Sequence, residues 1–193
     1  MSKYIFPNNN QTNQTTYYWF KNGFDEKEIQ KIKEYLENFH FEKGTTFTTS
    51  DDKSVRNSQI KWIPYNNETR WLYEKIYNYA KEANDNIFHF KLYYSLDDIQ
   101  YSKYSQNGKY DFHIDIGEGR DSLRKLSCSI LLNDPNDFEG GDFEYWINKS
   151  PQKILLEKGS IVFFPSFFLH RVTEVTDGER ESLVLWIGGD SYH

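Results

Sequence analysis

The sequence is poor in cysteine and has no long apolar run. Its single cysteine, Cys128, excludes an intrachain disulfide and a zinc site built from cysteine thiolates. No stretch approaches the length that crosses a membrane, and residues 1–16 are polar and lack the apolar segment of a secretory signal. We therefore expect a cytoplasmic protein without a membrane contact, with a flexible polar N terminus at 1–16.

Basic charge is also scarce. The chain has 23 Lys and Arg against 29 Asp and Glu, and no basic block occurs. Binding to the phosphates of a nucleic acid requires a concentrated basic face. Nucleic acid is therefore not expected as a partner, and the oligomeric state is left open.

Aromatic residues, by contrast, are abundant. They make up 18% of the chain and compensate for a hydrophobic content of only 37%, because large rings fill a core with fewer positions. Aromatic density stays high from Tyr17 to Trp186 without a break that resembles a linker. This predicts one folded domain over 17–193, with helical support at 17–86 and a β-rich core at 87–193.

The sequence patterns predict helices first and strands after them. Asp25 and Glu28 form a capping box before an apolar stripe, and a second amphipathic helix is predicted from about Asn67 to Ala83. After Ile87, short apolar runs alternate with turn residues, as is typical of a barrel or sandwich. The predicted strands are Phe88–Tyr94, Ile99–Tyr104, Leu126–Leu132, Phe143–Ile147, Ile154–Leu156, Ile161–Phe164, Leu169–Val175 and Leu183–Ile187. The expected fold is α+β, with a jelly roll backed by helices.

A histidine and an aspartate stand two residues apart in strand-like sequence, at His113 and Asp115. Side chains alternate faces along a strand, so both point to the same side and offer an imidazole and a carboxylate to one divalent metal. His170, at the start of another predicted strand, is the best third ligand. Two histidines and a carboxylate leave open positions on Fe(II), as an oxygenase requires, although the same set also describes catalytic zinc sites.

Arg180, ten residues beyond His170, is the predicted anchor for a carboxylate of 2-oxoglutarate, because a guanidinium binds a carboxylate through two hydrogen bonds. Arg180 must then face the same way as His170. We expect a three-residue hairpin loop from Thr176 to Gly178, with Gly178 left-handed and Glu174 paired with Arg180. The loop would bring Ser182 beside Arg180, where its hydroxyl could bind the same carboxylate. A two-residue turn would point Arg180 to the opposite face.

Four stretches, within about Ile99 to Gly188, resemble the catalytic core of the 2-oxoglutarate/Fe(II)-dependent oxygenases, specifically the prolyl-4-hydroxylase-like group. They are Tyr110 to Asp115, Leu132 to Asp142, Phe164 to Val172, and Gly178 to Arg180. The resemblance implies a double-stranded β-helix, the jelly-roll fold of that family.

The resemblance also implies a set of site residues. His113, Asp115 and His170 would hold Fe(II), Arg180 would anchor 2-oxoglutarate, and Tyr104 would hydrogen-bond that co-substrate. The resemblance implies dioxygen as the second co-substrate and allows ascorbate as a further cofactor. The implied activity is hydroxylation of a side chain, a prolyl one above all, in a peptide or protein substrate.

Two alternatives stay open. The substrate could be a free amino acid or another small molecule, and the chain could be a metal-binding jelly roll without catalytic activity. Substrate-binding residues are not assigned. Among residues that could contact substrate from the rim, Arg56, Arg120 and Arg124 are interpreted as solvated charges and Trp62 as a core aromatic.

Overall fold

The computed structural model describes residues 16–45, 54–95, 97–147 and 149–191. The N-terminal segment predicted to be flexible, 1–16, lies outside the described residues except for Thr16.

Two α-helices precede most of the strands. Helix α1 (Glu26–Leu36) begins at the predicted capping box, in which the Asp25 carboxylate accepts from the Glu28 backbone and the Glu28 carboxylate accepts from Asp25. Helix α2 (Arg70–Ala83) begins three residues later than predicted, because the Asn66 side chain accepts from two backbone amides and holds 66–69 in a turn. A π-helical turn, Asn84–Phe88, follows α2.

Among the described residues, no helix combines the length and the apolar character that a membrane crossing requires.

Fifteen strands lie in the described part of the chain. They are β1 (Tyr18–Phe20), β2 (Glu42–Lys43), β3 (Arg56–Asn57), β4 (Gln59–Ile63), β5 (Leu92–Ser95), β6 (Ile99–Tyr104), β7 (Lys109–His113), β8 (Arg124–Leu131), β9 (Phe138–Gly140), β10 (Phe143–Ile147), β11 (Ser150–Lys153), β12 (Ile161–Pro165), β13 (His170–Val172), β14 (Val175–Gly178) and β15 (Arg180–Gly189). The predicted strands at 99–104 and 143–147 match β6 and β10 at both ends.

The strands form two main sheets. An eight-stranded sheet has the order β1-β12-β8-β15-β6-β4-β2, with β5 also paired to β15. A five-stranded sheet has the order β11-β10-β13-β7-β3, and β14 pairs with β9 in a short third ladder. The pairs between these strands are antiparallel, as the predicted jelly roll requires.

The eight-stranded sheet separates two hydrophobic clusters. Along β15, Leu183, Leu185 and Ile187 pack with the helices in the larger cluster, whereas Ser182 and Trp186 face a cavity on the other side. This strict alternation is the pattern of a strand that is covered on both faces. The predicted jelly roll backed by helices is confirmed.

Three features depart from the predicted elements. The region 17–86 is more than helical support, because β4 lies between β6 and β2 and β3 forms an edge of the five-stranded sheet. The predicted strand at 154–156 is a loop between β11 and β12, in which Leu155 is exposed. Phe88 ends the π-helical turn, so β5 begins only at Leu92. The division at residue 87 therefore stays a prediction rather than a visible boundary.

Candidate metal centre and its cavity

His113 and His170 face each other across two neighbouring strands. They are direct register partners where β7 pairs with β13, and their ring centroids lie 4.2 Å apart. Asp115 lies just beyond the end of β7, with its backbone N–H bound to the Ser166 carbonyl at 2.8 Å. Alternation persists past the strand end, because Ile114 is exposed while Asp115 is buried.

The three side chains form a compact ligand set. One ligand atom from each of His113, Asp115 and His170 can be chosen so that all three lie within 4.8 Å of one another. The Nε2 atoms of both histidines stand 3.6 Å from oxygens of the Asp115 carboxylate, one from each oxygen. Strand pairing therefore brings His170 to Asp115 across 55 positions of sequence and to His113 across 57.

Backbone carbonyls orient both imidazoles. His113 Nδ1 lies 2.7 Å from the Asp111 carbonyl oxygen, and His170 Nδ1 lies 3.0 Å from that of Phe168. A carbonyl only accepts, so each Nδ1 carries the proton and each Nε2 presents a lone pair toward Asp115. This is the arrangement by which proteins fix the tautomer of a metal-binding histidine.

Electrostatics keep His113 in the neutral form that binds metals. Burial, supported by the nearby His170, lowers the pKa of His113 from its ordinary 6.5 to about 3. The ring also stacks on Tyr110, with centroids 3.5 Å apart. An uncharged imidazole is therefore available at neutral pH without loss of a proton.

The Asp115 carboxylate is held ionised by its neighbours. Burial by itself would raise its pKa, but His170, His113 and a hydrogen bond from Ser127 together lower the pKa below its ordinary 3.8. The Ser127 hydroxyl donates to Asp115 Oδ2 at 2.6 Å and lies 2.9 Å from the Ser166 hydroxyl, which can donate to it in turn. Ser127 was missed at the sequence level because a serine in an apolar strand carries no local signal.

The donor set fits Fe(II). Two neutral imidazoles and one carboxylate are the ligands of non-haem iron oxygenases, and they leave coordination positions for a chelating co-substrate and dioxygen. Among the described residues, His113, Asp115 and His170 form the only group of three or more potential ligands that lies close enough together to hold one metal ion.

Arg180 lies in the same cavity, on the opposite sheet. The cavity has a volume of about 220 Å³ and is lined by the three ligand residues together with Arg180, Tyr104 and Ser182. Arg180 is 2% exposed, and burial lowers the pKa of its guanidinium. The partners of Arg180 among the described residues are a hydroxyl and an aromatic ring rather than a carboxylate, so its charge could be balanced by a bound anion.

Tyr104 and Ser182 surround the Arg180 side chain. Arg180 Nη1 donates to the Ser182 hydroxyl at 2.9 Å, which leaves the hydroxyl hydrogen free to bind a ligand. Tyr104 is the register partner of Arg180 on β6, and its ring centroid lies 5.7 Å from the guanidinium carbon. The structure therefore brings all six predicted site residues to one cavity.

The predicted hairpin that was to orient Arg180 is wrong. Gly178 is left-handed, with φ +72°, but Glu174 does not pair with Arg180. The segment β14 pairs with β9, and the chain then crosses to the eight-stranded sheet, where β15 lies between β6 and β8. Arg180 faces His170 because the two residues lie on opposing sheets of the roll rather than on one hairpin.

The interpretation of two arginines as solvated charges is also wrong. Arg56 and Arg124 are buried, and both line the cavity, as does the half-buried Trp62. Arg124 binds the Asp115 carbonyl at 3.0 Å and the Asp97 carboxylate at 2.5 Å. Arg120, in contrast, is exposed, within a 3₁₀ turn at Gly119–Leu123. Tertiary contacts, which the local sequence does not reveal, bury Arg56 and Arg124.

Comparisons with known proteins agree with this geometry. Residues 99–188 match the family model of the 2OG-Fe(II) oxygenase superfamily. A PKHD-type hydroxylase of Rippkaea orientalis is 30% identical over 167 residues, which are 83% of this chain and 72% of that protein. The chain belongs to the 2OG-Fe(II) oxygenase superfamily. The predicted resemblance to the prolyl-4-hydroxylase-like group is confirmed.

Two further matches define the extent of the likeness. A PKHD-type hydroxylase of Prochlorococcus marinus is 36% identical over 89 residues, so the match spans 46% of this chain and only 40% of that relative. A solved prolyl hydroxylase of Trichoplax adhaerens, in complex with a hypoxia inducible factor peptide fragment, has a TM-score of 0.76 at 17% identity. The match covers 93% of this chain and 86% of the Trichoplax chain. That likeness shows the shared fold.

Proposed function

We propose that the chain is an Fe(II)- and 2-oxoglutarate-dependent dioxygenase that hydroxylates a prolyl side chain in a peptide or protein. The observation that carries the proposal is the convergence of two sheets on one cavity. One sheet presents the histidines, with Asp115 next to them, and the other presents the buried cation Arg180. A metal site without an anion site would support only metal binding, which is the alternative of a non-catalytic module.

The metal end of the cavity would hold Fe(II) through His113 Nε2, His170 Nε2 and the Asp115 carboxylate. Ser127 keeps that carboxylate oriented and ionised. When bound, Fe(II) and 2-oxoglutarate activate dioxygen, and the reaction releases succinate and carbon dioxide and adds a hydroxyl group to a carbon. The chain's own contribution is to position these groups and to shield them from water.

The anion end of the cavity would hold the far carboxylate of 2-oxoglutarate. Arg180 offers a charge-assisted pair of hydrogen bonds, and Ser182 offers a hydroxyl that is already positioned by Arg180. Tyr104, buried beside the guanidinium, supplies a phenol at the wall. Because Arg180 is buried, its attraction for an anion is stronger than that of a surface arginine.

The substrate class rests on the relatives. The solved Trichoplax protein is named a prolyl hydroxylase and binds a peptide, and the two relatives above are named hydroxylases. A peptide with a proline is therefore the first substrate to test, and a free amino acid is the second. We also propose a cytoplasmic location, which agrees with a sequence that contains a single cysteine and therefore no intrachain disulfide.

The test begins with the purified chain under anaerobic conditions. We expect one equivalent of Fe(II) to bind and 2-oxoglutarate to bind only weakly without metal. Admission of oxygen should give succinate, at a rate increased by proline-containing peptides, and mass spectrometry should place one added oxygen atom on the proline. The matched control is each peptide with alanine in place of that proline.

Each result separates the alternatives. If iron binds but no succinate is released, either with or without a peptide, the chain is a non-catalytic metal-binding module. Succinate release stimulated by free amino acids, and not by peptides, would leave the small-molecule hydroxylase.

A further inference from the structure

Arg56 is a second buried cation in the wall of the cavity. It is 7% exposed, and it lines the space that also contains the metal ligands and Arg180. Its Nε donates to the Ser58 hydroxyl at 2.9 Å and its Nη1 to the Thr45 carbonyl at 2.9 Å. Its third nitrogen, Nη2, is buried and has no hydrogen-bond partner among the described residues. An orphaned donor of this kind costs free energy unless a ligand satisfies it.

The charge of Arg56 is also uncompensated. Its partners among the described residues are a hydroxyl, a carbonyl and the ring of Tyr110, and none is a carboxylate. The charge of Arg180 is balanced in the proposed complex. A divalent iron, a doubly charged 2-oxoglutarate, Asp115 and Arg180 together carry no net charge. Arg124 has two carboxylates of its own, those of Asp97 and Asp121. Of the arginines that the structure describes around the cavity, only Arg56 still lacks an anion.

The guanidinium of Arg56 is held rigidly before a ligand arrives. Its carbon lies 4.6 Å from the centre of the Tyr110 ring, and that ring stacks on His113. Gly44 permits the close approach, since a Cβ there would lie 2.7 Å from Arg56 Nε and 2.3 Å from Ser58 Oγ. A preorganised cation one ring away from a metal ligand loses little entropy on binding.

Resting on the proposed function, we infer that Arg56 binds an α-carboxylate of the primary substrate, beside the carbon that is oxidised. The α-carboxylate comes from a free amino acid or from the C-terminal residue of a peptide. A neutral carbonyl would satisfy Nη2 but would leave the charge of the guanidinium unbalanced.

Two features of the cavity agree with a small, oxygen-rich ligand. Trp186 presents a second buried donor, its Nε1, without a hydrogen-bond partner among the described residues. The volume of about 220 Å³ lies below the roughly 300–1,000 Å³ typical of ligand pockets. A cavity of this size that also holds 2-oxoglutarate favours a substrate that enters with a single residue, whose carboxylate would then lie near the oxidised carbon.

The experiment compares acids with their amides on the full chain. Fe(II) and 2-oxoglutarate are bound anaerobically, and calorimetry measures the Kd of L-proline against L-prolinamide and of Gly-Gly-Pro against its C-terminal amide. The other common L-amino acids and their amides extend the panel. We expect at least one acid to bind about 30-fold more tightly than its amide, or more. The pair in which the preference occurs identifies the source of the carboxylate.

Variants then assign the preference to Arg56. Arg56→Gln should weaken binding of the preferred acid about 30-fold or more and bring it to the level of its amide, whereas Arg56→Lys should retain part of the preference. Arg70→Gln, which removes an exposed arginine paired with Glu74, is the matched control. Cooperative thermal unfolding of each variant checks its fold, and the acid-to-amide comparison in the unaltered protein stands without any variant.

The inference is overturned if no acid in the panel binds more tightly than its amide, or if folded Arg56→Gln keeps the full preference. Failure of the proposed function has a different signature. In that case the unaltered chain releases no succinate from 2-oxoglutarate and oxygen, whatever acids it binds.

Discussion

The two walls of the cavity are built by different means. On the five-stranded sheet, each histidine is oriented by the carbonyl of the residue two positions before it, and His113 and Asp115 are separated by a single residue. On the eight-stranded sheet, Arg180 is positioned by Tyr104 across one strand pair, and Ser127 reaches Asp115 from a third strand, β8. The wall on the five-stranded sheet, the metal wall, combines short-range geometry with the pairing of β7 and β13. The wall on the eight-stranded sheet, the anion wall, depends on the order of β6, β15 and β8.

This difference predicts a separation of effects. Changes in the metal wall should abolish metal binding and therefore turnover. Changes in the anion wall should weaken co-substrate binding while metal affinity stays close to its original value. Changes in residues that connect the walls should alter both, by smaller amounts.

The largest effect is expected for Asp115→Ala, which removes the only charged ligand of the metal wall. Turnover should be lost, because two neutral imidazoles do not offset the charge of a divalent cation. Succinate release and Fe(II) affinity, measured together, check the prediction. Asp85→Ala, at an exposed aspartate paired with Lys81, is the control. Near-native succinate production by Asp115→Ala would remove that residue from the site.

The next effect breaks the anion wall alone. Arg180→Met should raise the 2-oxoglutarate concentration required for half-maximal rate about 30-fold or more, because the loss of a charge-assisted bond to a buried carboxylate costs roughly 2–5 kcal/mol. Fe(II) affinity should change little. Separate titrations with Fe(II) and with 2-oxoglutarate measure the two affinities. An equal loss of the two affinities would show that the walls do not act separately.

A smaller effect is expected for Ser127→Ala. The Ser127 side chain, on the eight-stranded sheet, connects the two walls through its hydrogen bond to Asp115. Loss of its hydrogen bond should reduce Fe(II) affinity about tenfold. Because that bond lowers the pKa of Asp115, its removal should also shift the acid limit of metal binding to higher pH. Metal titrations at several pH values measure the shift. Ser160→Ala, at a buried serine outside the cavity, should leave the acid limit in place.

The smallest effect concerns the pH dependence of the metal-free protein. Unfolded His113 takes up a proton near its ordinary pKa of 6.5, while the folded form does so only near 3. Between these values the unfolded state binds more protons, so the free energy of unfolding falls as pH falls. One unit below 6.5 the loss is about 1.4 kcal/mol.

Urea unfolding near pH 7 and again one unit below 6.5 measures this loss. His113→Gln should lack it, and His40→Gln, at an exposed histidine, should retain the dependence of the original chain. If His113→Gln shows the same pH dependence as the original chain, the His113 ring takes up its proton at the same pH in the folded and the unfolded state.

The features of this protein that depend on neighbouring residues can be predicted from its sequence. The capping box at Asp25 began a helix where expected, because its hydrogen bonds span three residues. The spacing of His113 and Asp115 fixed a common face through the alternation of side chains. The apolar run at Leu183–Ile187 likewise predicted a strand, and it lies within β15.

Which strands are neighbours, by contrast, follows from the tertiary structure alone. The crossover after β14 places Arg180 opposite His170, although the predicted hairpin does not exist. The pairing of β3 with β7 buries Arg56 against Tyr110, where the local sequence predicts a solvated charge. Strand order depends on how the whole chain covers its apolar surface, so no short stretch of sequence contains it.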